Sequence, residues 1–416
     1  MLQSLRESGR PDFAAGLDYR PVPLAPYRDP AFFEQEKAQV FARAWLLLGR
    51  IEELPEPGCY VVKALPTFGS SVILTHGKGG AIRAFHNSCS HRGSEVLPEG
   101  AGKQSRFVCP YHNWTYTPDG ALIGVPDEAD FAGLDKQTCG LKPVACDTWD
   151  GWVFINLQRE PDVGLAEFLG PMAEHLGGLS YPSAATPLVF RATLDANWKV
   201  VADAFIETYH IPFIHPRTIG DTFASSANPF ARLLDFTALG AHRAVSMYGN
   251  PDFQLGPDNK VERTAYAGVA TDSVIAAAAS EGLTAFLEHP AVNPTGSHSW
   301  SMDVKNVFPH VHIDCGPGGF WIHHFWPMSA TTCEYEVKFY VAPATTVRER
   351  FQQEMYVGRV HEIILEDLAN VARTQRGINS GGQQVMQLKD SEAGIRHHLA
   401  QILKWVDAPS MREALS

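Results

Sequence analysis

The sequence predicts an α+β chain in which a small all-β domain precedes an antiparallel sheet covered by long helices. Three observations carry this prediction. Short β-branched and aromatic runs separated by turn residues fill residues 46–160. Strand-like and longer helical runs mix from about residue 165 onward. The chain has 416 residues, 45% of them hydrophobic, which is enough for two domains with separate cores. The expected division is an N-terminal segment at 1–45, the β domain at 46–160 and the mixed domain at 161–416.

The N-terminal segment begins as a Pro-rich extended arm. Asp29-Pro30 then caps a helical stretch through Phe32, Glu36, Val40 and Trp45. In the β domain, strands are expected at Cys59 to Val62 and Ser71 to Leu74. Gly77-Lys78-Gly79-Gly80 turns into a third at Ala81 to Phe85. Trp114 to Tyr116 and Ala121 to Ile123 form a hairpin about Pro118-Asp119-Gly120, and Trp152 to Asn156 closes the set. The mixed domain has strand-like runs at Leu188 to Leu194, Arg232 to Met247, Ser299 to Ile313, Phe320 to Met328 and Cys333 to Val341. Helices are expected near 197–209, 271–287 and 346–375, with Ala276 to Ala279 a helix-favouring run. There is no internal repeat.

The formal charge is −12 and no Lys/Arg-rich run occurs, so neither a nucleic-acid nor an anionic-membrane surface is expected. Nothing resembles a signal peptide, and no run of about 18 apolar residues is present. A soluble cytoplasmic protein is the expectation. Seven cysteines are too few for a disulfide framework in a chain this long.

Cys89-Ser-His91 and Cys109-Pro-Tyr-His112 carry the strongest chemical signal. Two thiolates and two imidazoles are the ligand set of a Rieske [2Fe–2S] centre, where imidazole replaces thiolate on one iron and raises the reduction potential. A Cys2His2 zinc site uses the same inventory, but it groups Cys with Cys and His with His. Here each half-site mixes the two types. Small residues and Pro let two tight loops close over a cluster, with Gly93 free to take a positive φ. Cys59, Cys139, Cys146, Cys315 and Cys333 are left over, expected reduced.

A second signal lies in the segment Asn197 to Pro216. His210 and His215 are five residues apart, which on a regular helix separates them by about 140°. Pro212 should break the helix and could swing both rings toward one point. The pair alone is equally read as two surface or core histidines; a carboxylate would complete the facial triad that leaves iron positions open. Asp367 sits on the long C-terminal helix, expected to end at Gly377, with Ile363, Ile364 and Val371 at i−4, i−3 and i+4. That spacing puts it on the inward face; Glu362 and Glu366 compete for the role.

Together these residues resemble the catalytic (α) subunit of the Rieske non-haem iron oxygenases, the ring-hydroxylating and quaternary-amine group. The resemblance rests on Cys-x-His with Cys-x2-His, on Asn197-Trp-Lys followed by Glu207-x-Tyr-His-x4-His-Pro, and on Glu366-Asp followed by Gln375-x-Gly. It implies that Cys89, His91, Cys109 and His112 hold [2Fe–2S], while His210, His215 and Asp367 hold mononuclear Fe(II). The fold implied is a Rieske domain plus a helix-grip catalytic domain, on which the N-terminal segment packs. Glu207 occupies the position of the bridging carboxylate, linking His210 to His112 of the next protomer, although as a bare residue it also reads as a solvated helix position. The partners implied are an NAD(P)H-dependent reductase, with or without a ferredoxin, O2, a small organic substrate and further copies of the chain in a homotrimer or a multiple of it. No GxGxxG motif follows a strand, so the chain itself is not expected to bind NAD(P)H.

Phe205, Phe213, Ile214, Phe223, Phe230, Leu239, Val304, Phe308, Phe325 and Trp326 are candidates for an apolar pocket. Asn306, His310, His312, His323 and His324 are candidates to orient a polar substituent, with strand alternation turning half of them away. The expected reaction is hydroxylation or dihydroxylation of an aromatic or hydrophobic ring. Oxidative N- or O-demethylation of a quaternary ammonium or methoxy compound is the alternative. A Rieske electron carrier and a zinc-stabilised binding protein are more distant readings.

Overall fold

The computed structural model describes residues 12–179, 187–257, 259–265, 286–316, 319–341 and 343–416. The fold is α+β, and the chain packs as two compact units. The smaller comprises Lys37–Leu169 with Ala408–Ser416, the larger Met1–Glu36 with Gly170–Asp407. The borders expected after residues 45 and 160 therefore fall after 36 and 169, and the last nine residues join the smaller unit. Hydrogen bonds explain the shift. Asn156 Nδ2 donates to Arg43 O at 2.7 Å and Trp45 Nε1 to Val163 O at 2.9 Å. Arg412 donates to Asp162 O at 2.6 Å and to Glu167 Oε1 at 2.7 Å.

The smaller unit is built on a seven-stranded antiparallel sheet. Its order is Leu46–Arg50, Trp152–Asn156, Pro143–Trp149, Ile82–His86, Ser70–His76, Cys59–Leu65 and Gly100–Lys103. Phe107–Val108, Thr115–Tyr116 and Leu122–Gly124 make a second sheet of three strands. Gly80 and Gly120 take φ of 84° and 86° in the two expected hairpin turns, where a side chain would be strained.

The larger unit holds another seven-stranded antiparallel sheet. In spatial order its strands are Leu188–Leu194, Thr332–Tyr340, Gly319–Ser329, Val311–Gly316, Trp300–Val307, His242–Tyr248 and Asp235–Leu239. The runs expected as single strands at 232–247 and 299–313 are each a pair, the first folded at Gly240 with φ 67°. The helix Val347–Asn379 starts at a capping box, Thr346 with Glu349. It does not stop at Gly377; Gly381, with φ 69°, supplies the left-handed residue beyond its end. The helix expected at 271–287 lies outside the described residues except at its last two positions.

The segment Asn197-Trp-Lys fixes where the site begins. Asn197 caps the helix Trp198–Asp203 by accepting from Lys199 N at 3.0 Å, and its own amide donates to Ala330 O at 2.7 Å. Trp198 is fully buried. Lys199 Nζ meets Glu36 Oε1 at 2.7 Å with both side chains 0% exposed.

Candidate active site and metal centres

The four Rieske candidates come together on two loops of matching geometry. Gly93 N donates to Cys89 O at 2.8 Å, and Asn113 N to Cys109 O at 3.0 Å. Cys89 N donates to Ser94 O at 2.8 Å, and Cys109 N to Trp114 O at 2.9 Å. The fifth residue of each loop is left-handed, Gly93 at φ 80° and Asn113 at φ 56°; Asn is a residue type that tolerates this conformation. The sequence flagged Gly93 and missed Asn113.

Both thiols are buried, and the His91 and His112 ring centroids lie 4.6 Å apart. Trp114 stacks on His91 at 5.0 Å and 9°, which sets the ring plane. His91 Nδ1 is buried with no hydrogen-bond partner among the described residues, an orphan that a metal ligand bond would satisfy. This donor set fits a Rieske cluster. The Tyr116 hydroxyl accepts from Ser90 N at 3.0 Å and lies 3.1 Å from Cys89 Sγ, placed to donate to the sulfur. Such hydrogen bonds raise a cluster's potential. Burial pushes the Tyr116 hydroxyl pKa well up, so it keeps its proton.

The second centre departs from expectation in one respect. The helix begun at Trp198 ends at Asp203, well before Pro212, and a separate turn of helix runs Ile211–Ile214 with His210 at its N-cap. Pro212 sits in the first turn, where its missing N–H costs nothing. The break is thus the irregular segment 204–209, and His210 and His215 flank the short helix. Asp367 joins them from the long helix. Its Oδ1 lies 3.2 Å from His210 Nε2 and 3.0 Å from His215 Nε2, and ligand atoms of all three lie within 4.8 Å of one another. Two imidazoles and one carboxylate converging this closely fit a facial triad for iron.

The far nitrogen of each imidazole is also held. Glu207 Oε1 meets His210 Nδ1, and Glu366 Oε2 lies 2.7 Å from His215 Nδ1. Carboxylates in that position fix the tautomer and raise ligand basicity. Glu366, a competing candidate for the ligand, is therefore the orienting partner of His215. Glu362 pairs instead with Arg359 at 2.6 Å. Burial pulls the His210 pKa down, but Glu207 and Asp367 outweigh it and push it up to about 10. Burial raises Asp367, and hydrogen bonds from His210 and His215 bring it below the usual carboxylate range.

A cavity of about 540 Å³ opens beside this centre. Of the pocket candidates only Phe205, Phe223 and His323 line it. Phe213 and Phe230 are 61% and 53% exposed, while Leu239, Val304, Phe308, Phe325 and Trp326 are packed in the core. Asn306, His310, His312 and His324 are buried but do not line it. Ile211, Met302, Trp321, Tyr356 and Val360 supply much of the wall that the sequence did not reveal. Strand phase decides part of this and position along the strand the rest, since Phe325 and His312 share the face of His323 but lie beyond the cavity. Trp321 and His323 share the inner face of their strand, whereas His324 and Trp326 point to the other.

Two family models match the chain, the Rieske [2Fe-2S] domain over residues 44–140 and the ring hydroxylating alpha subunit (catalytic domain) over 180–408. The chain is 34% identical over 205 residues to the chloroplastic choline monooxygenase of Spinacia oleracea, covering 48% of this chain and 46% of that protein. It spans about half the length of the curated relatives it matches. The quaternary ammonium Rieske monooxygenase CntA superposes with a TM-score of 0.69 at 22% identity, over 94% of this chain and 98% of that one. Naphthalene 1,2-dioxygenase from Rhodococcus sp. does so with a TM-score of 0.69 at 23% identity, over 98% of each chain. Both likenesses speak to the fold. No helix among the described residues is long and apolar enough to cross a membrane.

Proposed function

Because this chain belongs to the ring-hydroxylating alpha subunit family and carries a Rieske domain ahead of the catalytic one, we propose that it is the terminal oxygenase of a multicomponent system. It takes electrons from a separate NAD(P)H-dependent reductase, directly or through a ferredoxin. It uses O2 to hydroxylate or dihydroxylate an aromatic or hydrophobic ring. The observation that carries the reading is the convergence of His210, His215 and Asp367 on one wall of a mostly apolar cavity.

Cys89, His91, Cys109 and His112 would hold the [2Fe–2S] cluster, and His210, His215 and Asp367 the mononuclear iron. When bound, these groups supply single electrons and a coordination site for O2. The chain's own residues do the rest. Glu207 and Glu366 hold the two ligand rings in one tautomer and one orientation. Ile211, Phe205 and Val360 exclude water from the cavity and seat an apolar ring against the triad. For insertion of one atom the balance is substrate C–H plus O2, two electrons and two protons, giving alcohol and water.

Glu207 reaches His210 from the side away from Asp367 and is 12% exposed, so it can also meet a group on another protein surface. We assign it the link to His112 of the next protomer in a homotrimer. Glu207→Gln should keep both metals, by iron and sulfide content, and slow single-turnover oxidation of the reduced cluster at least about a hundredfold. Near-normal turnover would remove the bridging role.

A second reading, oxidative demethylation of a quaternary ammonium compound, is favoured by the aromatic walls Phe205, Phe223, Trp321 and Tyr356, which suit a cation. A substrate panel with a surrogate reductase under 18O2 separates the two. Aromatic ring compounds gaining one or two labelled oxygens support the first, and formaldehyde released from betaines supports the second. A colourless protein with stoichiometric zinc would sink both.

A further inference from the structure

One polar constellation on the cavity wall has no part in holding the metal centre. His323 is fully buried and held at both nitrogens. Nε2 lies 3.1 Å from Asp314 Oδ2 and Nδ1 2.6 Å from the Tyr335 hydroxyl. Tyr335 is 2% exposed, and a buried phenol keeps its proton. Donating it to Nδ1 leaves Nε2 to donate to Asp314, so one tautomer satisfies the whole chain of three side chains.

Asp314 lines the cavity and is 6% exposed. His323 gives it one hydrogen bond, at Oδ2, and Oδ1, itself buried, has no partner among the described residues. A carboxylate has room for about four hydrogen bonds, and burying one so lightly paired is costly. The other acidic groups on the wall are engaged, Glu207 and Asp367 with the triad histidines and Glu262 with Arg359 at 2.8 Å. Asp314 is also held still. Its strand pairs in register with the one carrying Trp321 directly opposite, and Phe205 lies against His323 at 4.7 Å. A fixed acceptor in a mostly apolar wall is how such a site orients one class of ligand.

We propose that Asp314 is a substrate-binding residue that selects ring compounds bearing an N–H or O–H donor, protonated amines included. The inference rests on the oxygenase reading for calling the occupant a substrate. His323 and Tyr335 are positioning residues that keep the carboxylate aimed.

The test is calorimetric binding to the holoenzyme, with indole and benzofuran as probes that share a shape and differ in the N–H. The wild type should bind indole at least about tenfold more tightly, the size of a charge-assisted hydrogen bond. Asp314→Leu should bring the two within about twofold by weakening indole alone. Equal affinities in the wild type, or a preference that survives in Asp314→Leu, overturns the proposal. If Asp314→Leu does not fold, Asp314→Asn keeps the shape and removes the charge. Benzylammonium should then weaken about tenfold with ethylbenzene unchanged, and an equal change in both overturns the proposal. Binding is read without reductase or O2. A preference without oxygen insertion therefore supports Asp314 and counts against the oxygenase reading alone, whereas insertion without a preference overturns Asp314 alone.

Discussion

Asp367→Ala should lower turnover at least about a hundredfold while leaving the cluster's visible spectrum unchanged. Asp367 Oδ1 is the atom that both triad imidazoles share, so its loss removes one ligand and the negative charge between the two rings. Two histidines alone bind divalent iron weakly, and the remaining polar groups, Glu207 and Glu366, are already committed to the far nitrogens. The cluster candidates belong to the other compact unit, whose core of Tyr60, Phe107, Trp114 and Tyr116 is its own. Iron analysis should therefore show one iron lost per chain with sulfide unchanged. A variant that keeps its turnover, or one that loses its colour, would refute the assignment.

Lys199→Met should destabilise the chain by ~3–5 kcal/mol, the usual result of breaking a fully buried ion pair from one side. Burial pushes the Glu36 pKa up and the Lys199 pKa down, and the pairing opposes both shifts. Among the described residues, removing Lys199 leaves Glu36 with only the indole N–H of Trp198, at 3.4 Å. The double variant Glu36→Leu/Lys199→Met should recover most of the loss, because two apolar side chains need no partner. Urea unfolding of the four proteins in the cycle gives the coupling. A single variant within ~1 kcal/mol of the parent would mean that the pair is not holding this region.

The chemistry was more legible in the sequence than the surface it acts on. Each cluster loop is local, so its ligands, turns and glycine sit together in the chain. Asp367 was recognisable because its apolar neighbours at i−4, i−3 and i+4 define a face. The same reasoning left Glu366 ambiguous, because a residue one step round the helix still reaches the other nitrogen of His215. The sequence puts the break at Pro212 whereas the helix ends at Asp203, because a proline inside a helix and one in its first turn look alike in sequence. Pocket walls were least legible. Phe213 and Trp321 are both aromatic, yet one is exposed and the other lines the cavity. Only strand phase and the path of irregular segments separate them.

The packing of the last nine residues also bears on synthesis. Met411 and Ala414 are buried in the smaller unit, and Arg43 Nη1 donates to Ala408 O at 2.9 Å. Those residues leave the ribosome only after all of 170–407 has been made, at about 5–20 residues per second. The smaller unit, most of it made before residue 170, is therefore completed only after the larger one. A nascent chain stalled anywhere in 170–407 carries an open seam where Arg412 would have met Asp162 and Glu167.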